Sequence, residues 1–202
     1  MRPPPPDALS FLSLPAEMRN QIYECVLGGW LIAVRPNPQR EDKLEYGIWP
    51  AAMNPFEIMG HQPTRSADMP SNALSLLYTC RQIYAETKLL PYGLNALLIG
   101  ERYPSRTLIE GTPVQLAQVR RLKLCSYAPA NIVLSRVWLE TLSWFENLNE
   151  IEVHWRLRVP PWCSEEDYIS TATIDEALMR KKIIDATSAA CEISFHRTIV
   201  WE

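Results

Sequence analysis

From residue 95 onward the apolar segments follow one order: strand 95–100, strand 119–125, helix 132–147, strand 150–156, helix 174–190, strand 196–201. Strands that alternate with helices of this length cannot return as hairpins. They predict an α/β fold, with α+β as its neighbour, built on a mostly parallel sheet crossed by helices. The third helix rests on Leu134, Trp138, Thr141, Phe145 and Leu148, which recur at helical spacing. Thr173 and Glu176 fit a capping box for the fourth. The stretch from Arg121 to Val153 spans one leucine-rich-like strand–helix–strand unit. A solenoid needs about three such units, so a compact sheet is expected instead.

The N-terminal third is broken by proline: 11 of the 17 prolines lie within the first 70 residues. Pro3 to Pro6 predict a disordered tail over residues 1–10, and residues 11–202 read as one domain. A first helix is predicted over 14–27. Pro15 opens it, Glu17 sits in the first turn, and Gly28-Gly29 stop it. Leu14, Met18, Ile22 and Val26 recur every fourth residue and predict its buried stripe. Residues 30–35 and 44–49 read as strands, and residues 50–71 as an irregular loop with a short turn at Asn54–Glu57. A second long helix is predicted over 72–90, with Asn72 as its cap and Pro91 as its stop. Its core face reads Ala73, Leu76, Leu77, Cys80, Ile83, Tyr84 and Thr87, and the two helices are expected to pack together.

Composition narrows the roles open to such a domain. The net charge is −3 and the two short basic groups, Arg120-Arg121 and Arg180-Lys181-Lys182, have no aromatic residues interleaved with them. Nucleic acid is therefore not an expected partner. No apolar run approaches about 18 residues and the first residues lack a signal-peptide stretch, so no membrane role is expected. Five scattered cysteines without a CxxC predict an intracellular chain with reduced thiols. His61, His154 and His196 lie far apart. No metal, no cofactor and no catalytic activity are expected. The competing enzyme reading is a hydrolase that uses Cys80 or Cys163 with a histidine. Of seven tryptophans, Trp138 and Trp155 read as core, while Trp30, Trp49 and Trp162 fit either core or contact surface.

Two motifs remain. The first is Phe11-Leu12-Ser13-Leu14-Pro15-Ala16-Glu17-Met18-Arg19-Asn20-Gln21-Ile22-Tyr23. The second is Leu76-Leu77-Tyr78-Thr79-Cys80-Arg81-Gln82-Ile83-Tyr84-Ala85-Glu86-Thr87, followed by Pro91-Tyr92-Gly93-Leu94-Asn95. Together they resemble the fungal two-E-x-R family and its F-box-like relatives, whose members read F-x-x-L-P-x-E-I-R-x-x-I-Y, then L-x-x-T-C-R-Q-I-Y-x-E-A, then L-Y-x-x-N. Here Met18 stands for Ile, Thr87 for Ala and Pro91 for Leu. The resemblance implies that Leu14, Pro15, Glu17, Arg19, Ile22, Tyr23, Cys80, Arg81, Tyr84 and Glu86 form a structural or partner-contacting set. The L-P-x-E opening is similar to the start of an F-box, which docks on the adaptor of cullin-type ubiquitin ligases.

The charged motif residues are expected to fix helix packing, with Glu17 or Glu86 paired to Arg81 or Arg19. The expected function is an intracellular protein-interaction module, with an F-box-like substrate receptor as the alternative. A buried stripe on the first helix would leave it nothing to offer a partner. Binding is therefore expected at the sheet rim, the 50–71 loop or exposed tryptophans.

Overall fold

The computed structural model describes residues 10–37, 40–60, 74–100, 113–126, 139, 142–159, 164–187 and 191–201. Six strands form one sheet: β1 (Trp30–Asn37), β2 (Arg40–Pro50), β3 (Ala96–Gly100), β4 (Arg121–Ser126), β5 (Glu150–Val159) and β6 (Glu192–Trp201). Their order is β2-β1-β3-β4-β5-β6. β1 and β2 pair antiparallel, and every other neighbouring pair is parallel. The α/β class and the single sheet follow the sequence reading. The described helices are α1 (Ala16–Leu27), α2 (Pro55–Gly60), α3 (Arg81–Thr87), α4 (Leu90–Leu94), α5 (Pro113–Leu116) and α6 (Glu165–Ala186).

Strand alternation divides the core between the two sheet faces. On one face lie Ile32, Val34, Leu97, Ile99, Leu122, Leu124, Ile151, Val153 and Trp155, packed with Met179 and Ile183 of α6. On the other, Leu31, Ala33, Ala96, Leu98 and Cys125 meet Phe56 and Ile58 of α2. Helices thus cover both faces, as a mostly parallel sheet requires. The predicted loop at 50–71 is corrected in part. Asn54 accepts a hydrogen bond from the Phe56 amide at 3.0 Å, and the helix it starts carries core residues. Residues 61–71 lie outside the described residues.

α1, α3 and α4 form a third apolar cluster around Tyr23, Leu27 and Ile83, with Leu90 and Leu94 against it. The expected packing of the two motif helices is observed, but the second helix is not continuous. A 3-10 turn covers Ser75–Tyr78, Cys80 is extended at φ −159° and ψ 163°, and α3 starts only at Arg81. The extended residue interrupts the backbone ladder, so the periodicity drawn across it places Cys80 and Tyr84 inside when both are exposed. Pro91 stands in the first turn of α4 rather than ending a helix, a position where a missing N–H costs nothing.

Two further boundaries move. α6 begins at Glu165, so Thr173 and Glu176 lie inside the helix and form no cap, while Glu165-Glu166-Asp167 fall in its first turn. The predicted helix 132–147 falls largely outside the described residues. Leu139 and Leu142 are helical and the chain turns at Ser143-Trp144, so the helix does not reach 147. Gly28-Gly29 stop α1 as expected. A Cβ at Gly28 would lie 2.6 Å from the Glu24 carbonyl oxygen, and Gly29 adopts φ +82°.

Candidate functional site

The two motifs meet at one carboxylate. Glu86, near the end of α3, accepts both guanidinium hydrogen bonds of Arg19, from Nε at 3.2 Å and from an Nη at 3.1 Å. It also accepts from the Tyr23 hydroxyl at 2.7 Å and from Gln82 Nε2 at 3.1 Å. Arg19 turns its third guanidinium nitrogen to the Leu14 carbonyl at 2.6 Å. The expected pairing is therefore Arg19 with Glu86. Glu17 and Arg81 are exposed and stand outside this network.

The network shows how polar side chains shape the helix interface. Tyr23 buries its ring and ends in a hydroxyl, so it needs an acceptor, and Glu86 provides one. Burial and that hydrogen bond raise the Tyr23 phenol above its ordinary value. The bonds from Tyr23, Arg19 and Gln82 hold the Glu86 carboxyl down to about 2. This sets a pH dependence. The folded value lies below the ordinary 4.5, so the unfolded chain takes up this proton first. The stabilisation is complete above pH 4.5 and is lost as pH falls toward about 2. Glu86→Gln should therefore melt at a lower temperature near neutral pH and lose less stability across that acid window. Parallel melting curves for the two proteins would refute the assignment.

The stripe predicted to be buried on α1 faces solvent. Met18 is 48% exposed, Ile22 36% and Val26 40%, whereas Tyr23 and Leu27 are fully buried. The buried face runs through Arg19, Tyr23 and Leu27, one residue on from the predicted stripe. Its partners decide this: Phe11 lies against Tyr23 with ring centroids 5.6 Å apart, and Leu90 and Leu94 close the cluster. Pro15 stands at the cap position just before the helix, not at its first residue. Leu14 is half-buried.

Of the remaining motif residues, exposed Cys80 precedes α3, and Tyr84 lines an open groove of about 840 Å³ together with Tyr46, Tyr78 and Tyr92. Asn95, the last residue of the second motif, is buried and joins three segments. Its amide donates to the Leu27 carbonyl at 2.6 Å and to the Pro91 carbonyl at 2.8 Å, and accepts from the Trp30 amide at 2.8 Å. Trp155 is core, Trp30 and Trp49 are half-buried, and Trp144, not singled out by the sequence, is 44% exposed. Trp138 and Trp162 lie outside the described residues.

A second constellation escaped the sequence reading. Parallel pairing sets His154 of β5 beside His196 of β6, and Lys123 of β4 beside Glu152 of β5. The two imidazoles stack with centroids 4.6 Å apart and 14° between planes. Glu152 Oε2 lies 3.0 Å from His154 Nε2, 4.0 Å from His196 Nε2 and 2.8 Å from Lys123 Nζ. The hydrogen bond with His154 and the Lys123 ammonium hold the Glu152 carboxyl down to about 2, against the opposing effect of burial.

Cys80, one of the two cysteines read as a candidate nucleophile, is exposed just ahead of α3. Cys163 and His61 lie outside the described residues. Burial, with Glu150 and Glu192 nearby, pushes the Cys191 thiol up to about 11, away from the thiolate form a nucleophile needs. Both basic groups contribute to packing: Arg121 donates to the Leu94 carbonyl, and Arg180 donates to the Ile193 carbonyl at 3.0 Å while lying over the Phe195 ring. No described helix is long and apolar enough to cross a membrane.

No curated protein and no solved structure matches the chain. Its first three quarters do match a known sequence family. Over residues 5–156, which take in both motifs, the Arg19–Glu86 junction and the sheet from β1 into β5, the chain belongs to the family described as a domain of unknown function (DUF7730).

Proposed function

We propose that this domain is an intracellular protein-interaction module whose contact surface is the outer face of α1. The observation that carries the reading is the exposure of Met18, Ile22 and Val26 on one face of a helix whose other face is fixed by Tyr23 and Leu27. Three large apolar side chains in a row on a rigid helix suit a partner groove that takes anchors at i, i+4 and i+8. Leu12, 36% exposed, extends the patch toward the start of the helix. Trp144 and the tyrosines around Tyr84 offer further aromatic contacts.

The same exposure favours a second, more specific reading: an F-box-like receptor of a cullin-type ubiquitin ligase. Adaptor docking requires a free apolar face after the L-P-x-E opening, and Leu14-Pro15-Ala16-Glu17 leads into that face. β1, β2 and α2 separate the motif helices in sequence, but α1, α3 and α4 still come together as one helical cluster.

The test is a Met18→Glu/Ile22→Glu double variant. Both positions face water, so its melting temperature should stay within about 2 °C of the parent. Crosslinking from α1 in cell extract, followed by mass spectrometry, should identify a partner lost with the double variant. Crosslinks unchanged by the substitutions would overturn the α1 surface. Purified ligase adaptor that binds the parent, and binds the variant at least about tenfold more weakly, would establish the receptor reading. An adaptor that does not bind the folded parent would remove that reading.

A further inference from the structure

The geometry points to Glu152, His154 and His196 as a three-ligand site for Zn2+ or a chemically similar divalent transition metal. The site lies on the sheet face that α2 covers over β1, β3 and β4, where that face continues as polar surface over β5 and β6. Ile151, Val153, Trp155 and Ile193 fill the opposite face, which forces Glu152, His154 and His196 outward together. The three donor atoms lie within 4.8 Å of one another. Zinc bonds of about 2.1 Å in tetrahedral geometry separate donors by about 3.4 Å. The carboxylate oxygen lies 3.0 Å from one imidazole nitrogen and 4.0 Å from the other, on either side of that value.

The chemistry of the donors agrees. Two imidazoles and a carboxylate suit zinc, nickel or copper better than calcium or magnesium, which prefer oxygen. Three protein donors also leave a fourth position for water or for an oxygen ligand from another molecule. Backbone pairing holds His154 and His196 side by side, so little order is lost on binding. His196 is 54% exposed at its side chain, which leaves a route for an ion to enter. Besides the Ser194 hydroxyl, which lies 3.4 Å from His196 Nε2, Lys123 is the charged competitor. Its ammonium sits 2.8 Å from the oxygen the metal would take, so binding must displace it. A simple ion-pair network and a metal site therefore differ in how they respond when Lys123 is neutralised.

The test is Zn2+ titration of the full chain by calorimetry, with imidazole 15N shifts read in parallel, in a Cys25→Ser/Cys80→Ser background that removes two exposed thiols. One zinc per chain is expected, with shifts at both His154 and His196. His196→Ala should weaken binding at least about tenfold, since loss of even an outer-sphere partner commonly costs that much. Lys123→Gln should tighten it several-fold. Two results would overturn the site: zinc that binds His196→Ala as tightly as the parent, or a parent that takes up no zinc at micromolar concentration. Weaker binding in Lys123→Gln would also count against it.

Discussion

Asn95→Ala is expected to lower the stability of the domain by about 3–5 kcal/mol, read from urea or guanidinium unfolding. The side chain is 2% exposed and makes three hydrogen bonds to backbone that has few alternatives. The Leu27 carbonyl belongs to the last turn of α1, where no further amide continues the helix. Alanine leaves that carbonyl and the Trp30 amide without their partner, while the Pro91 carbonyl keeps the Asn95 backbone amide. Asn95→Asp separates the contributions. A carboxylate can still accept from Trp30 but cannot donate, and it faces two carbonyl oxygens. It should be no more stable than the alanine variant. Recovery in the aspartate variant would show that only the Trp30 contact matters, and a loss below about 1 kcal/mol in alanine would refute the role altogether.

Trp155→Ala should cost about 3–5 kcal/mol as well, by a different route. The indole lies 1% exposed in the larger core cluster, with its ring 5.5 Å from that of Phe195. Truncation leaves a cavity between β5, β6 and α6 that the paired strands cannot close. For a domain of this size the loss corresponds to a fall in melting temperature of about 6–20 °C. Trp155 Nε1 has no hydrogen-bond partner among the described residues, so Trp155→Phe forfeits volume but no hydrogen bond. Phenylalanine should recover more than half of the alanine loss. Equal losses in the two variants would mean that the indole N–H matters after all.

The sheet was legible because its strands obey simple burial. Leu97, Leu98 and Ile99 are apolar on both faces, and Ile151, Val153 and Trp155 alternate with polar residues where the second face opens. The buried side of α1 was not legible from apolar counting. Met18, Ile22 and Val26 outscore Arg19 and Tyr23 on any hydropathy scale. A tyrosine that shares its hydroxyl with a carboxylate can nevertheless bury completely, and only the position of Glu86, 63 residues away, reveals the acceptor. The break at Cys80 was hidden for a related reason, because no glycine or proline marks it. The histidines were missed because their proximity depends on strand register. β6 starts at Glu192, and Ile193 and Phe195 enter the larger core, so His196 falls beside His154. A strand begun at His196 leaves that alignment undetermined.

The contacts that join α1 to α3 and α4 have nearly equal spans: 67 residues for Arg19–Glu86, 63 for Tyr23–Glu86 and 68 for Asn95–Leu27. Leu31 pairs with Ala96 across a similar distance. Together they fasten both ends of one long excursion of the chain. The entropy of closing such an excursion rises only with the logarithm of its length, about 0.6 kcal/mol for each doubling. Once the fastening is in place, the closure entropy of the excursion depends only weakly on its length. The closure itself is made by the side chains of Arg19, Tyr23, Glu86 and Asn95, all of which sit at the two ends of the excursion.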